Sequence, residues 1–280
     1  MLNRSKSVNL LRVVAILAFI IAILFGSSAP ALAISYGEPD GDGHPFVGSM
    51  VARLPDGRLL QWCSGTLIAE NVFLTASHCT APVDQFLASR PGAELLVTFD
   101  PTISESGTFY TGTWYTNPKY SNFQGKYGRS DPGDIAVIVL DQAPGITPAR
   151  LPTAGFLDEL KKSHSLATTR FTTVGYGDIR ETNRTGFQGI LNNLDRNRVD
   201  QGFLSLTPAW LNLSMNLATG NGGTCYGDSG GPNYLEYNGV LYQAGITSWG
   251  DSPCASTNVT YRVDIPATQD FLQWVVDGLE

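Results

Sequence analysis

The sequence predicts an all-β fold made of two β-rich units of similar size, closed by one C-terminal helix. Three observations predict it. Apolar runs are short and separated by turn-forming residues, which is the rhythm of strands rather than helices. The 30 glycines among 280 residues suit short strands and tight turns. Helical spacing emerges only at the end, where Phe271, Trp274, Val275 and Leu279 recur after Pro266.

Residues 1–33 stand apart from that fold. Arg4, Lys6 and Arg12 form a basic start, and Val13 to Phe25 is apolar but too short to span a bilayer comfortably. The series ends Ala31-Leu32-Ala33, so it reads as a secretory signal peptide cut after Ala33 rather than an uncleaved anchor. The exported chain, 34–280, then begins its strands. Leu54-Pro55-Asp56-Gly57-Arg58 reads as a hairpin connection. Leu59 to Ile68, Val72 to Ala76, Leu95 to Phe99, Phe109 to Tyr115 and Ile135 to Leu140 follow as strands. The Pro- and Gly-containing stretch Ala143 to Gly155 divides an N-terminal unit, about 34–150, from a C-terminal unit, about 151–280. Strands of the second unit are expected at Phe171 to Val174, Phe203 to Leu206, Val240 to Ser248 and Val259 to Val263. Between the first two of these, Ile179 to Gln201 is polar and rich in Asn and Arg, and reads as an exposed loop.

Charge and cysteine content narrow the function classes. The net charge of −7 becomes more negative when the three basic residues of the leader depart. An acidic exported chain argues against nucleic acid and against stable membrane association after signal cleavage. All four cysteines, Cys63, Cys79, Cys225 and Cys254, lie in the exported part, where an even count reads as two disulfides with three connectivities open. A zinc site is the weaker reading, because no C-x-x-C pair is present and His78 alone among the histidines lies near a cysteine.

Two short strings carry the chemistry: Leu74-Thr75-Ala76-Ser77-His78-Cys79 and Cys225-Tyr226-Gly227-Asp228-Ser229-Gly230-Gly231-Pro232. A serine hydroxyl is a poor nucleophile at neutral pH unless a base takes its proton during attack. Glycines around Ser229 allow a sharp turn and leave the amides of Gly227 and Ser229 free to face a developing oxyanion. The same residues satisfy the G-x-S-x-G nucleophile elbow of α/β-hydrolases, but that fold places its histidine after the serine. No histidine here lies beyond His164. His164 sits in a polar stretch and His44 precedes a proline near the start of the exported chain, so His78 is the candidate base. Asp134 opens the apolar run Ile135 to Leu140, where an unpaired charge would be costly, and so becomes the orienting acid. Asp100, Asp141 and Asp178 occupy turn-like, solvated positions.

The chain resembles the chymotrypsin-like serine proteases. The resemblance is carried by Cys63-Ser64-Gly65-Thr66-Leu67-Ile68 leading into Thr75-Ala76-Ser77-His78-Cys79, by Asp134-Ile135-Ala136, by the Gly-Asp-Ser-Gly-Gly-Pro string and by Ser248-Trp249-Gly250, all in the family's order. It implies two six-stranded antiparallel β-barrels with Ser229, His78 and Asp134 in the cleft between them, and disulfides Cys63–Cys79 and Cys225–Cys254. It implies a secreted, monomeric endopeptidase acting on polypeptides through an acyl-enzyme, with no cofactor and no catalytic metal. Gly223, Thr224, Ser248, Trp249, Gly250 and Asn258 become the expected substrate-binding residues, with Ser248 to Gly250 pairing with an extended substrate backbone.

Three departures from the family pattern carry further expectations. Trypsin-like preference for Lys or Arg needs a carboxylate six residues before the nucleophile, and that position is Gly223. With Asn258 in the expected pocket wall, the sequence predicts an uncharged P1 preference, apolar or small. Signal cleavage after Ala33 would expose Ile34-Ser35-Tyr36-Gly37, and the new ammonium of Ile34 is expected to pair with Asp228. Tyr36 stands where relatives carry glycine. Asn183, Asn212 and Asn258 open triplets that match glycosylation acceptors.

Overall fold

A computed structural model describes residues 37–121, 131–180 and 190–278 of the chain. The signal segment, Ile34 and Tyr36, the acceptor triplet at Asn183, and Leu279 all lie outside the described residues.

The chain enters through a two-residue strand, β1 (Glu38–Pro39), and then builds a first sheet. Its strands are β2 (Val47–Arg53), β3 (Leu59–Ala69), β4 (Val72–Thr75), β5 (Glu94–Thr98), β6 (Gly112–Thr116) and β7 (Ala136–Leu140). Between β4 and β5 lie two short helices, α1 (Ser77–Thr80) and α2 (Val83–Ala88). The order is β5-β2-β3-β4-β7-β6, all antiparallel, and a bridge between Val97 and Tyr110 joins its ends. Met50, Leu67, Phe73, Leu74, Val97, Val137 and Ile138 fill the interior.

After the helix α3 (Phe156–Lys162) comes the second sheet: β8 (Arg170–Gly175), a small pair β9 (Ile179–Arg180) and β10 (Ile190–Leu191), then β11 (Asn197–Leu206), β12 (Trp210–Ser214), β13 (Pro232–Tyr237), β14 (Val240–Gly250) and β15 (Thr257–Arg262). The sequence β11-β12-β15-β14-β13-β8 closes because β11 also pairs with β8, from Asn197↔Gly175 to Gly202↔Arg170. This gives two six-stranded barrels, as the resemblance implies. One segment crosses over: β1, from the expected N-terminal unit, adds to β11 of the second sheet.

The expected exposed loop from Ile179 to Gln201 is corrected at its C-terminal end. Asn197 to Gln201 open the ten-residue strand β11, and Asn197 and Gln201 are wholly buried. The interior of this barrel is partly polar: Asn258 donates to Gln201 Oε1 and Asn233 Oδ1, Thr173 donates to Asn233, and Asn233 donates to Thr247. Gln201 therefore faces an inner hydrogen-bond network rather than water, while the Asn197 side-chain amide donates to Asn193 Oδ1 and Asp195 O at the entry to the strand. Arg196, also within the expected loop, is 2% exposed and binds Asp40, the carbonyls of Gly41, Val47 and Phe99, and the Tyr176 hydroxyl.

The helix α4 (Pro266–Asp277) follows the periodicity, with Pro266 at its first turn where no amide hydrogen is needed. Thr268, Phe271 and Val275 are buried, and Phe271 and Val275 join the core of the first barrel. Trp274 is largely exposed but meets Tyr115 edge-on at 6.4 Å. The C-terminus thus straps back over the N-terminal barrel.

Candidate active site

Strand register delivers the histidine and the acid to each other. β4 pairs with β7 through Thr75↔Ala136, so the residues leaving β4 lie beside those entering β7. His78 follows in α1, and Asp134 precedes β7 after Gly133, whose φ of +67° turns the chain. Ser77 locks the two segments by donating its hydroxyl to Ile135 O at 2.7 Å. The Cys63–Cys79 disulfide ties α1 to β3, and Trp62 Nε1 donates to Cys79 O at 2.9 Å. The two sulfurs lie near His78, but each is bonded to the other and neither is a free thiolate.

Asp134 is fully buried, and its Oδ2 lies 2.9 Å from His78 Nδ1. Its Oδ1 accepts from the His78 backbone amide at 2.9 Å, and Ser248 Oγ donates to Oδ2. Burial alone would push this carboxyl up. The neighbouring His78, by charge and hydrogen bond, and the Ser248 hydroxyl outweigh it and hold Asp134 below the ordinary carboxylate range. Asp134 is thus an ionised, doubly anchored carboxylate behind a quarter-exposed imidazole. The other candidates lie elsewhere. His44 is buried, pairs with Asp40 at 2.6 Å and stacks on Tyr234, while His164 is exposed. Asp141 is exposed and bonds to Thr111.

Ser229 sits in a tight turn held from three sides. Cys225 is bonded to Cys254, so both disulfides match the pairing that the resemblance implies. Asp228 N donates to Cys225 O at 3.1 Å, Gly231 N to Asp228 O at 2.9 Å, and Gly230 N to Thr247 O at 2.8 Å. Gly227 has φ +94°, a conformation that glycine adopts without strain. Its carbonyl accepts from Gln61 Nε2 at 2.8 Å and from Ser64 Oγ at 3.0 Å, while Ser64 N donates to Ser229 O at 2.8 Å. With the carbonyls so occupied, the N–H groups of Gly227 and Ser229 make no hydrogen bond to a described residue. A Cβ on Gly230 would lie 2.1 Å from Thr75 Oγ1 and 3.1 Å from Ala76 N. Only a bare glycine lets the serine turn come this close to the segment that enters His78.

Gln61 and Ser64 were not singled out by sequence reasoning. Ser64 lies inside a family string, and Gln61 sits two residues before Cys63 with no local signal of its own.

Asp228 points away from the serine into the protein, fully buried, and accepts from Cys225 N and Gly177 N at 2.9 Å each. Burial drives its pKa up to about 7 against those two hydrogen bonds. Among the described residues no basic side chain pairs with it.

Beside Ser229 lies a cleft of about 260 Å³ whose wall includes Thr224, Tyr226, Ser248, Trp249, Gly250 and Asp251. Four expected substrate-binding residues thus line it. Gly223 and Asn258 stand behind this wall. Gly223 is buried against Met215, and Asn258 is turned into the barrel network, because its register opposite Gly250 and Leu213 aims the side chain inward. The same burial shields the Asn258 amide from a glycosylating enzyme in the folded chain.

The trypsin family's sequence description matches residues 38–275, from β1 almost to the end of α4. The chain belongs to the trypsin family. It is a chymotrypsin-like serine endopeptidase, with polypeptides as the substrate class of that family. Relatives are spread widely. A trypsin of Saccharopolyspora erythraea is 30% identical over 76% of this chain and 83% of its own length. Brachyurin of Leptuca pugilator is 32% identical over 75% of the chain and 88% of the relative. Lectizyme of Glossina austeni is 28% identical over 84% and 82%, respectively.

Proposed function

We propose that this trypsin-family chain is a secreted endopeptidase in which Ser229 attacks the peptide carbonyl while His78 takes its proton. Asp134 orients the imidazole and stabilises the imidazolium that forms. The amides of Gly227 and Ser229 receive the oxyanion. His78 then protonates the leaving amine, and water, activated by the same imidazole, hydrolyses the acyl-enzyme. The observation that carries this reading is the buried Asp134 bonded to His78 Nδ1 at 2.9 Å, because a carboxylate so placed leaves Nε2 as the working nitrogen.

The proposed P1 preference is uncharged. Asp251, the carboxylate on the cleft wall, accepts from the amides of Ala255, Ser256 and Thr257 at 3.0, 2.8 and 2.7 Å. Those amides hold Asp251 to its own loop at the wall, and Gly223 brings no carboxylate to the position six residues before Ser229, so a Lys or Arg side chain would be desolvated there without a charge to meet it. Export by the 1–33 leader, release at Ala33 and pairing of the Ile34 ammonium with Asp228 complete the proposal. A raised, buried carboxyl such as Asp228 is the kind of group that a new cation would ionise and anchor.

The test is labelling with an organophosphorus serine reagent. It is expected to add one group to the peptide that contains Ser229, at a rate sharply reduced by His78→Ala. Labelling elsewhere, or none, overturns the proposal.

A further inference from the structure

Behind the cleft wall sits a residue that none of the sequence motifs contains. Met215 follows β12 and is 1% exposed, its amide fixed by donation to Ser256 O at 2.8 Å. Its sulfur lies 3.1 Å from Thr224 N and 3.5 Å from Thr224 Oγ1, both of them donors. Its terminal methyl lies 3.8 Å from where a Cβ on Gly250 would stand. A Cβ on Gly223 would lie only 2.6 Å from the sulfur and 3.0 Å from the Met215 Cβ. The thioether thus runs from Gly223, past Thr224, to Gly250, the last two being cleft residues.

We propose that Met215 is the floor of the primary specificity pocket and that its length, rather than any charge, limits the pocket to small uncharged P1 side chains. The inference rests on the peptidase reading above and deepens it. Two features of the contact set support it. A side chain at position 223 and the thioether of Met215 compete for one space, so the glycine and the methionine are complementary halves of one filled volume. The sulfur, a weak acceptor, also takes the Thr224 amide and hydroxyl, so this cleft residue is held against the methionine. A pocket closed in this way discriminates by size, and each methylene that does not fit costs roughly 10- to 200-fold in kcat/KM. Methionine suits the role because its unbranched chain fills an irregular gap without a polar group to satisfy.

The experiment profiles a peptide series that differs only at P1 (Gly, Ala, Val, Leu, Phe, Lys) with the mature wild-type enzyme, Met215→Ala and Met215→Leu. Each is first titrated with the serine reagent, so that rates refer to competent Ser229. Wild type is expected to favour Ala or Val over Phe by at least tenfold. Met215→Ala should reverse that ratio by at least tenfold in favour of Leu and Phe. Met215→Leu, which keeps the volume and removes the sulfur, should stay close to wild type. A wild-type preference for Phe or Lys overturns the proposal without recourse to any variant. So does a Met215→Ala enzyme that labels normally with an unchanged Phe/Ala ratio. Failure of wild type to label at all overturns the peptidase reading instead, which keeps the two failures apart.

Discussion

Ser248 and His78 both contact Asp134 Oδ2, one through a hydroxyl and the other through Nδ1. Ser248 belongs to β14 of the second barrel, whereas His78 and Asp134 come from the first. The hydroxyl is therefore a bond across the two barrels, made to the group on which the orientation of the imidazole depends. The carbonyl of its neighbour Thr247 accepts from Gly230 N at 2.8 Å, so two consecutive residues of β14 grip the acid and the serine turn.

Removing that hydroxyl should be felt in stability and in acid tolerance. Ser248→Ala takes a donor from a buried charge, a bond worth roughly 1.5–3 kcal/mol. Asp134 is depressed in the folded state, so its contribution is present above the unfolded pKa and is lost as pH falls through the folded value. Without Ser248 the folded pKa rises toward normal, and acid unfolding should begin at higher pH. Urea titrations from pH 3 to 7 check this; an unchanged acid limb contradicts it.

Asp134→Asn should keep the fold and lose the tautomer. The Ser-His-Asp template suggests a fall in kcat of about 10,000-fold, with KM little changed. Steady-state kinetics on a P1-Ala peptide, with circular dichroism to confirm the fold, is the measurement.

Gly230→Ala should be severe. The added methyl would meet Thr75 Oγ1 at 2.1 Å and the Ser64 carbonyl at 2.4 Å, at a φ of +80°. Overpacking and left-handed strain together suggest a loss of roughly 2–4 kcal/mol. A lowered urea midpoint and a slowed reaction with serine reagents should appear together.

The Asp228 carboxyl predicts a pH signature that depends on where the chain starts. With residues retained ahead of Ile34, its folded pKa of about 7 lies above the unfolded value, so the folded state holds the extra proton. That stability is fully present below the unfolded pKa and is lost as pH rises through 7. A chain beginning at Ile34, whose ammonium pairs with the ionised carboxylate, should not show the loss. Urea midpoints at pH 4, 5.5 and 7.5 for the two chains on a Ser229→Ala background decide it. Identical profiles would refute the pairing.

Much of this was legible because the chemistry is local in sequence. The strings around His78 and Ser229 contain their own turn glycines, cysteines and apolar flanks, and Asp134 stood out as a charge at the head of a buried strand. Less legible were residues that act across the fold. Gln61 and Arg196 look like ordinary surface polar residues until the barrels close around them. Asn197, Gln201 and Asn258 read as loop or pocket residues because polar side chains inside a barrel break the usual alternation of apolar-in and polar-out. Met215 gave no signal, since its role comes from facing Gly223 and Gly250 rather than from its neighbours in the chain.

The central claim is that Ser229 forms an acyl-enzyme, and a pre-steady-state burst tests it most directly. Mixing the mature enzyme with an activated p-nitrophenyl ester should release close to one equivalent of nitrophenol per chain before steady turnover, and Ser229→Ala should show no burst. A burst of equal size from Ser229→Ala would contradict the account.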